Sequence, residues 1–236
     1  MSGHSKWATT HRQKAVVDAK RGAIFTRLGN LIAIAARGGA DPAMNPSLAM
    51  VVEKAKQANM PNENIKRAIA RASDKNSAEL MEDVYEAYAP GGVGVIIETA
   101  TDNRNRTMPE IKTTLAKNGG RLAEPGSVLF QFERQGVIEV SGADFDNVFL
   151  AASEIDGVLD VVAEDDLVIV YTDAKKLMAV RSSLLDGGLT IDNAELQYVP
   201  KNMVELDTDV REKVEKLLNA IDDLDDVTSV HTNADL

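Results

Sequence analysis

The chain has 236 residues, 44% hydrophobic and 27% charged, with no cysteine and a net charge of −11. That length holds one large domain or two to three small ones, each able to bury a core, and the composition excludes a disordered or fibrous chain. Without cysteine there are no disulfides or thiolate metal sites; residues 1–14 are too polar for a secretory signal and no apolar run reaches membrane-spanning length, so a cytoplasmic protein with no membrane partner is expected.

The charge is segregated. Residues 1–71 carry 12 Lys/Arg against Asp18, Asp41, Glu53 and Glu63, a local charge of +8, whereas residues 72–236 carry 14 against 33, a local charge of −19. A cationic module on an acidic body attracts phosphate at one end and repels it at the other.

In chain order, residues 13–37 place Ile24, Leu28, Leu31, Ile32 and Ala35 at three- and four-residue steps, the stripe of an amphipathic helix, which Gly38-Gly39 stops. Asn45-Pro46 supplies a cap and a first-turn proline for a second helix ending near Asn59, and Pro61 opens a third running to about Ala72 with Ile65 and Ile69 inward. The polar stretch 73–78 predicts a linker. Residues 84–89 and 93–100 predict a hairpin around Pro90-Gly91-Gly92. Thr107 with Glu110 predicts a capping box and a helix over 108–118, and residues 128–132 predict a strand.

Residues 136–199 read as βαββαβ: strand 137–140, helix 145–155, strands 158–162 and 167–171, helix 174–185, strand 190–199. That order is the ferredoxin-like split βαβ. Residues 204–232 offer a strand, a helix over 210–221 and a strand, too little to bury an apolar face alone, so they are expected to complete residues 79–133. The expected fold class is therefore α+β with three domains: a basic all-helical domain over 1–76, a discontinuous ferredoxin-like α/β sandwich over 77–133 plus 201–236, and a second ferredoxin-like sandwich over 134–200 inserted into it.

The densest chemical signal is Gly3-His4-Ser5-Lys6-Trp7, His11-Arg12-Gln13-Lys14 and Asp18-Ala19-Lys20-Arg21-Gly22. Lys and Arg neutralise phosphates and an exposed Trp stacks on an unpaired base, which suits RNA or single strands. The alternatives are a merely solvated helix face and a Trp7 that plugs a helix junction. The candidate nucleic-acid-binding residues are Lys6, Trp7, His11, Arg12, Lys14, Lys20, Arg21, Arg27, Lys66 and Arg67. Arg104 and Arg106 of Asp102-Asn103-Arg104-Asn105-Arg106-Thr107 join them, since a strand-to-helix corner grips anions; pairing with local carboxylates is the alternative there.

Catalysis finds no support. His4, His11 and His231 are scattered, no His pair has metal-ligand spacing, no Gly-x-Ser-x-Gly occurs, and Gly91-Gly92-Val93-Gly94 lacks the setting of a phosphate loop and reads as a tight hairpin. Glu164-Asp165-Asp166 and Asp222-Asp223 fall at expected turns or helix ends, where solvated acids are common and calcium-loop spacing is missing. No catalytic residue, metal or cofactor is expected.

These residues together resemble the YebC family. The resemblance rests on Gly3 to Trp7, His11-Arg12, Asp18 to Gly22 with Ile24-Phe25-Thr26, Ala35-Ala36-Arg37 with Gly39, Asp41-Pro42 and Asn45-Pro46. It continues through Ala58-Asn59-Met60-Pro61 with Asn64-Ile65, Tyr88 with Pro90-Gly91-Gly92-Val93, Thr101 to Thr107, Gly119-Gly120 and Gly126-Ser127-Val128. Thr10, Gln13, Ala23 and Ala72-Ser73-Asp74 depart from the pattern and thin the cationic surface. The resemblance implies the three-domain α+β fold and two descriptions of function. One is a ribosome-associated translation factor, related to the mitochondrial translational activator of cytochrome oxidase subunit I, that contacts ribosomal RNA and relieves stalling on proline-rich stretches. The other is a DNA-binding regulator of promoters. Ribosomal RNA is the expected partner, because no helix-turn-helix with a clear recognition helix stands out. Promoter DNA is the alternative, a protein-only adaptor the second, and a monomer the expected state.

Overall fold

The computed structural model describes residues 21–74, 78–164 and 166–236. Contacts divide the chain into two compact units, Met1–Phe132 with Pro200–Leu236, and Glu133–Val199.

The first unit opens with three helices, α1 (Arg21–Ala35), α2 (Pro46–Gln57) and α3 (Asn62–Arg71). Their apolar faces meet through Leu28, Ile32, Leu48, Val52 and Ile65, the residues that the three- and four-residue spacing marks as inward. Asn45 joins the first two helices. Its side-chain oxygen accepts from the Leu48 amide at 3.2 Å, and its Nδ2 donates to the carbonyls of Ala35 and Gly39, both at 2.8 Å. One amide side chain thus caps the start of α2 and the orphan carbonyls that end α1.

The α+β part of this unit has strands β1 (Met81–Tyr88), β2 (Gly94–Thr101), β3 (Arg121–Leu122) and β8 (Val227–Thr232), with α4 (Arg104–Lys117) and α7 (Thr208–Asp222). The sheet order is β3-β1-β2-β8, all neighbours antiparallel. Val95 and Ile97 of β2 point to the face covered by Ile111 and Leu115 of α4 and by Val214, Leu217 and Ile221 of α7. Between β1 and β2 the chain turns on Pro90–Gly92, where a Cβ on Gly91 (φ 78°) would meet Val210 Cγ1 at 2.9 Å, so the hairpin needs glycine for both conformation and space. Helix α1 packs on β2 and β8, and Asn30 Nδ2 donates to the Ala100 carbonyl at 3.2 Å.

Two expectations are corrected here. Helix α4 starts at Arg104, four residues before the predicted position, because the Asn103 side chain takes the cap by accepting from the Arg106 amide at 3.2 Å. Thr107 is inside the helix. Residues 129–131 form a 3-10 turn where a strand was expected. The cause is Glu86, a buried carboxylate of β1 that accepts from the amides of Gly126, Val128 (2.6 Å) and Leu129 (2.7 Å) and so removes those donors from any ladder. The Tyr88 hydroxyl holds the same turn through the Ser127 carbonyl at 2.8 Å.

The second unit contains β4 (Phe132–Ser141), α5 (Phe145–Ser153), β5 (Val158–Glu164), β6 (Leu167–Asp173), α6 (Leu177–Asp186) and β7 (Thr190–Pro200). Its sheet order β5-β6-β4-β7 places the first and third strands of the βαββαβ run at the centre, the ferredoxin-like arrangement. The alternation of Val137, Ile138, Glu139 and Val140 on β4 buries both faces of the central strand. At the seam the Lys201 amide donates to the Gln131 carbonyl at 2.9 Å, so the outgoing and returning strands meet on one rung.

Glu86 yields a prediction. Burial pushes its pKa up, but the three backbone N–H groups outweigh that and hold it below the usual Glu value. A group with a depressed folded pKa contributes stability above its unfolded pKa, about 4.3, and loses it as pH falls through the folded value. Glu86→Ala should cost about 3 kcal/mol by denaturant unfolding at neutral pH. In Glu86→Gln the stability difference from wild type should shrink as the medium is acidified below about pH 4.

Candidate nucleic-acid interface

Of the +8 carried by residues 1–71, residues 1–20 hold four Lys/Arg against Asp18, and residues 21–71 hold eight against Asp41, Glu53 and Glu63. Lys6, Trp7, His11, Arg12, Lys14 and Lys20 lie outside the described residues. Arg21 opens α1, and its side chain is likewise outside them.

Helix α3 carries two exposed cations. Lys66 is 74% exposed and reaches Glu63 at 3.4 Å, while Arg67 donates to Asn64 Oδ1 at 3.1 Å. Exposed i,i+3 contacts of this kind contribute at most about 0.5 kcal/mol, so a phosphate competes for both side chains at little cost. Beside them a groove of about 470 Å³ runs between α1 and α3, lined by Phe25, Thr26, Asn30, Arg67, Arg71 and Asp74 among others. A half-buried phenyl ring on one wall and guanidinium groups on the other suit an unpaired base and its phosphate. Arg71 is held in place by Asn30 Oδ1 at 3.0 Å and by Asp102 at 3.8 Å. Phe25 and Arg71 were not among the expected binding residues. Their signal was available in part, since Arg67 and Arg71 are spaced i,i+4 and must share a helix face.

Arg27 is turned inward. Its guanidinium donates to Asp222 Oδ1 at 3.1 Å and to the Asp222 carbonyl, fastening α1 to the last turn of α7, where a cation also meets the negative end of the helix dipole. The acidic pair Asp222-Asp223 therefore supplies a partner for Arg27 and the residue after α7, and no metal-holding acidic cluster occurs among the described residues. Arg37 likewise donates to the Leu80 carbonyl.

The corner after β2 holds the chain to itself. Arg104 grips Asp83 with two hydrogen bonds of 2.6 Å. Arg106 does the same to Asp226 at 2.8 Å on each oxygen, and reaches Asp102 at 3.3 Å. Asp226 is only 6% exposed; the Thr107 hydroxyl donates to it at 2.6 Å, with the Thr101 hydroxyl 3.1 Å away. Carboxylate pairing, the alternative left open by the sequence, occupies both guanidinium groups, and each carboxylate raises its arginine's pKa further. The physical reason is burial: a carboxylate as enclosed as Asp226 must be matched by a cation and hydroxyls. His231 is also internal, with Nε2 2.9 Å from Glu98 Oε2 on strands that α1 packs against.

Residues 5–75 match the TACO1/YebC protein N-terminal domain, and residues 80–234 match the TACO1/YebC second and third domain. A Bifidobacterium animalis subsp. lactis protein named "Probable transcriptional regulatory protein" is 50% identical over 99% of this chain and 94% of its own. A Mycobacterium tuberculosis protein of the same name is 46% identical over 100% of this chain and 96% of its own. The crystal structure of a conserved hypothetical protein from Aquifex aeolicus superposes with a TM-score of 0.87 at 40% identity, covering 94% of this chain and 93% of that one.

The Asp226 network is testable by unfolding. Asp226→Ala leaves Arg106 and the buried Thr101 and Thr107 hydroxyls without the carboxylate they share and should cost about 3 kcal/mol, while Arg104→Ala, at an exposed pair, should cost markedly less. Equal costs in thermal or denaturant melts would show that burial does not set the strength of these pairs.

Proposed function

Since the chain belongs to the TACO1/YebC family, we propose that it is a nucleic-acid-binding regulator of gene expression, and specifically a translation factor that binds ribosomal RNA and relieves stalling at proline-rich sequences. The observation that carries the reading is the groove between α1 and α3, which Arg67 and Phe25 both line, with the exposed Lys66 next to Arg67 on the helix, in the cationic portion of an acidic chain. Cations draw in the phosphate backbone, the groove admits a base too splayed for a duplex, and the acidic remainder repels RNA and thereby orients the encounter. In this reading Lys6, Trp7, His11, Arg12, Lys14, Lys20 and Arg21 extend the same surface. Arg27, Arg104 and Arg106 serve instead to hold the helices and the corner in register. The reading assigns no catalytic step, metal or cofactor, and it places a monomer in the cytoplasm. No helix among the described residues is long and apolar enough to cross a membrane.

A second reading, a DNA-binding transcriptional regulator, is favoured by the name that the Bifidobacterium and Mycobacterium relatives carry. The two differ in what they ask of the surface. Promoter recognition needs a large preference for one duplex over random duplex at physiological salt, and ribosome binding needs none.

Cosedimentation with ribosomes decides between them. Wild type should pellet with ribosomes and be released steeply by added salt, and Lys66→Glu with Arg67→Glu should weaken binding about tenfold or more without lowering the melting temperature. Unchanged cosedimentation of the double variant would remove the α1/α3 surface from the mechanism. A strong preference for one promoter duplex would support the second reading. In a deletion strain, ribosome profiling should show added pauses at proline-rich codons.

A further inference from the structure

The unit Glu133–Val199 contains 14 acidic residues and four basic ones, a charge of −10, and the nucleic-acid reading gives it no task. On this unit helix α5 buries Val148 and Ala152 against the sheet, as its spacing demands. A second group of apolar side chains on the same helix has no cover among the described residues. Phe145 and Phe149, one turn apart, stack with ring centroids 5.6 Å apart and an interplanar angle of 27°. Phe149 is 48% exposed, and Leu150, about 100° further round the helix, is 68% exposed. Leu159 is also exposed, at a register shift on the edge strand β5 that α5 packs against. Around this group stand Asp144, Asp146, Glu154 and Asp156, all exposed, with Lys176 engaged by Asp156 at 2.9 Å.

We propose that this group is a docking surface for a basic, amphipathic segment of another protein, whose apolar side covers Phe145, Phe149 and Leu150 while its cations meet the surrounding carboxylates. Charge selects the occupant. A nucleic acid or an anionic lipid surface is repelled by a charge of −10, and a second copy of the same unit presents the same charge to itself. Two stacked phenyl rings with an adjacent leucine are the kind of anchor around which interface energy concentrates. The inference is independent of the RNA reading, since it uses no residue of the helical module.

The test uses the full chain and a fluorescein-labelled helical Lys/Leu peptide of about four turns, followed by anisotropy. Two control peptides are used, one with Glu in place of Lys and one of the same composition scrambled to remove the apolar face. The Lys/Leu peptide should bind and the controls should not. Phe149→Ser and Leu150→Asp should each weaken binding about tenfold, or 1.4 kcal/mol; Leu150→Asp should leave the melting temperature nearly unchanged because its side chain is 68% exposed, whereas Phe149→Ser should lower it by a few degrees because the half-buried ring stacks on Phe145. Lys66→Glu with Arg67→Glu should leave it unaltered. Leu150→Asp adds an acid, so unchanged or tighter binding by that variant would mean bulk charge alone attracts the peptide, and the docking surface would be rejected. Failure of the wild-type chain to bind, competition by poly(U), or a concentration-dependent dimer abolished by Leu150→Asp would overturn it as well.

Discussion

One buried carboxylate, Asp226, holds the α+β part of the first unit in register with itself. It sits just ahead of β8 and receives the Arg106 guanidinium and the Thr107 hydroxyl from the first turns of α4, with Thr101 from the end of β2 close by. Three elements distant in sequence are thereby pinned to one point. Removing a carboxylate from water costs several kcal/mol, and only a full set of donors at hydrogen-bond distance offsets it, which makes the arrangement all-or-none. The same corner reaches the helical module, because Asp102, adjacent to this network, contacts Arg71 of α3. The position of the groove between α1 and α3 therefore depends on residues that never line it.

Charge in this chain serves two ends, separated by whether a cation meets a carboxylate from a distant part of the chain. Arg27, Arg104 and Arg106 each face a carboxylate of the chain and act as fasteners, whereas among the described residues Lys66 and Arg67 meet weak, exposed neighbours on their own helix. Opposite balances follow on the helical module and on the unit Glu133–Val199. The helical module keeps a positive surplus beside an aromatic wall, and the inserted unit keeps a negative surplus beside a phenylalanine stripe. Each pairs an apolar contact with one sign of charge, which is the composition of a selective interface.

Much of the fold was legible because its signals are local. The helical stripes, the Asn45-Pro46 cap and the βαββαβ order follow from spacings of a few residues, and the elements fall within a few residues of their expected positions. What was missed depends on partners far away in sequence. Arg27 reaches Asp222 across 195 positions and Arg106 reaches Asp226 across 120, so charge counting placed on the surface what tertiary packing turns to the chain's own acids. The start of α4 shows competition between local signals: Thr107-Glu110 and Asn103 are both valid caps, and the demand of Asp226 for the Thr107 hydroxyl draws Thr107 inside the helix. For the candidate interface, Lys66 and Arg67 were readable from composition. Phe25 and Arg71 required knowing that α1 and α3 lie side by side.

The rung between Gln131 and Lys201 carries a consequence for how such a chain could arise. The chain leaves for the unit Glu133–Val199 and returns from it at neighbouring backbone positions, so a short turn joining them would keep the host continuous, and any small fold whose own ends lie close together fits there. Recombination at that point exchanges one guest for another without disturbing the hydrogen bonds on either side, so the two units can change independently.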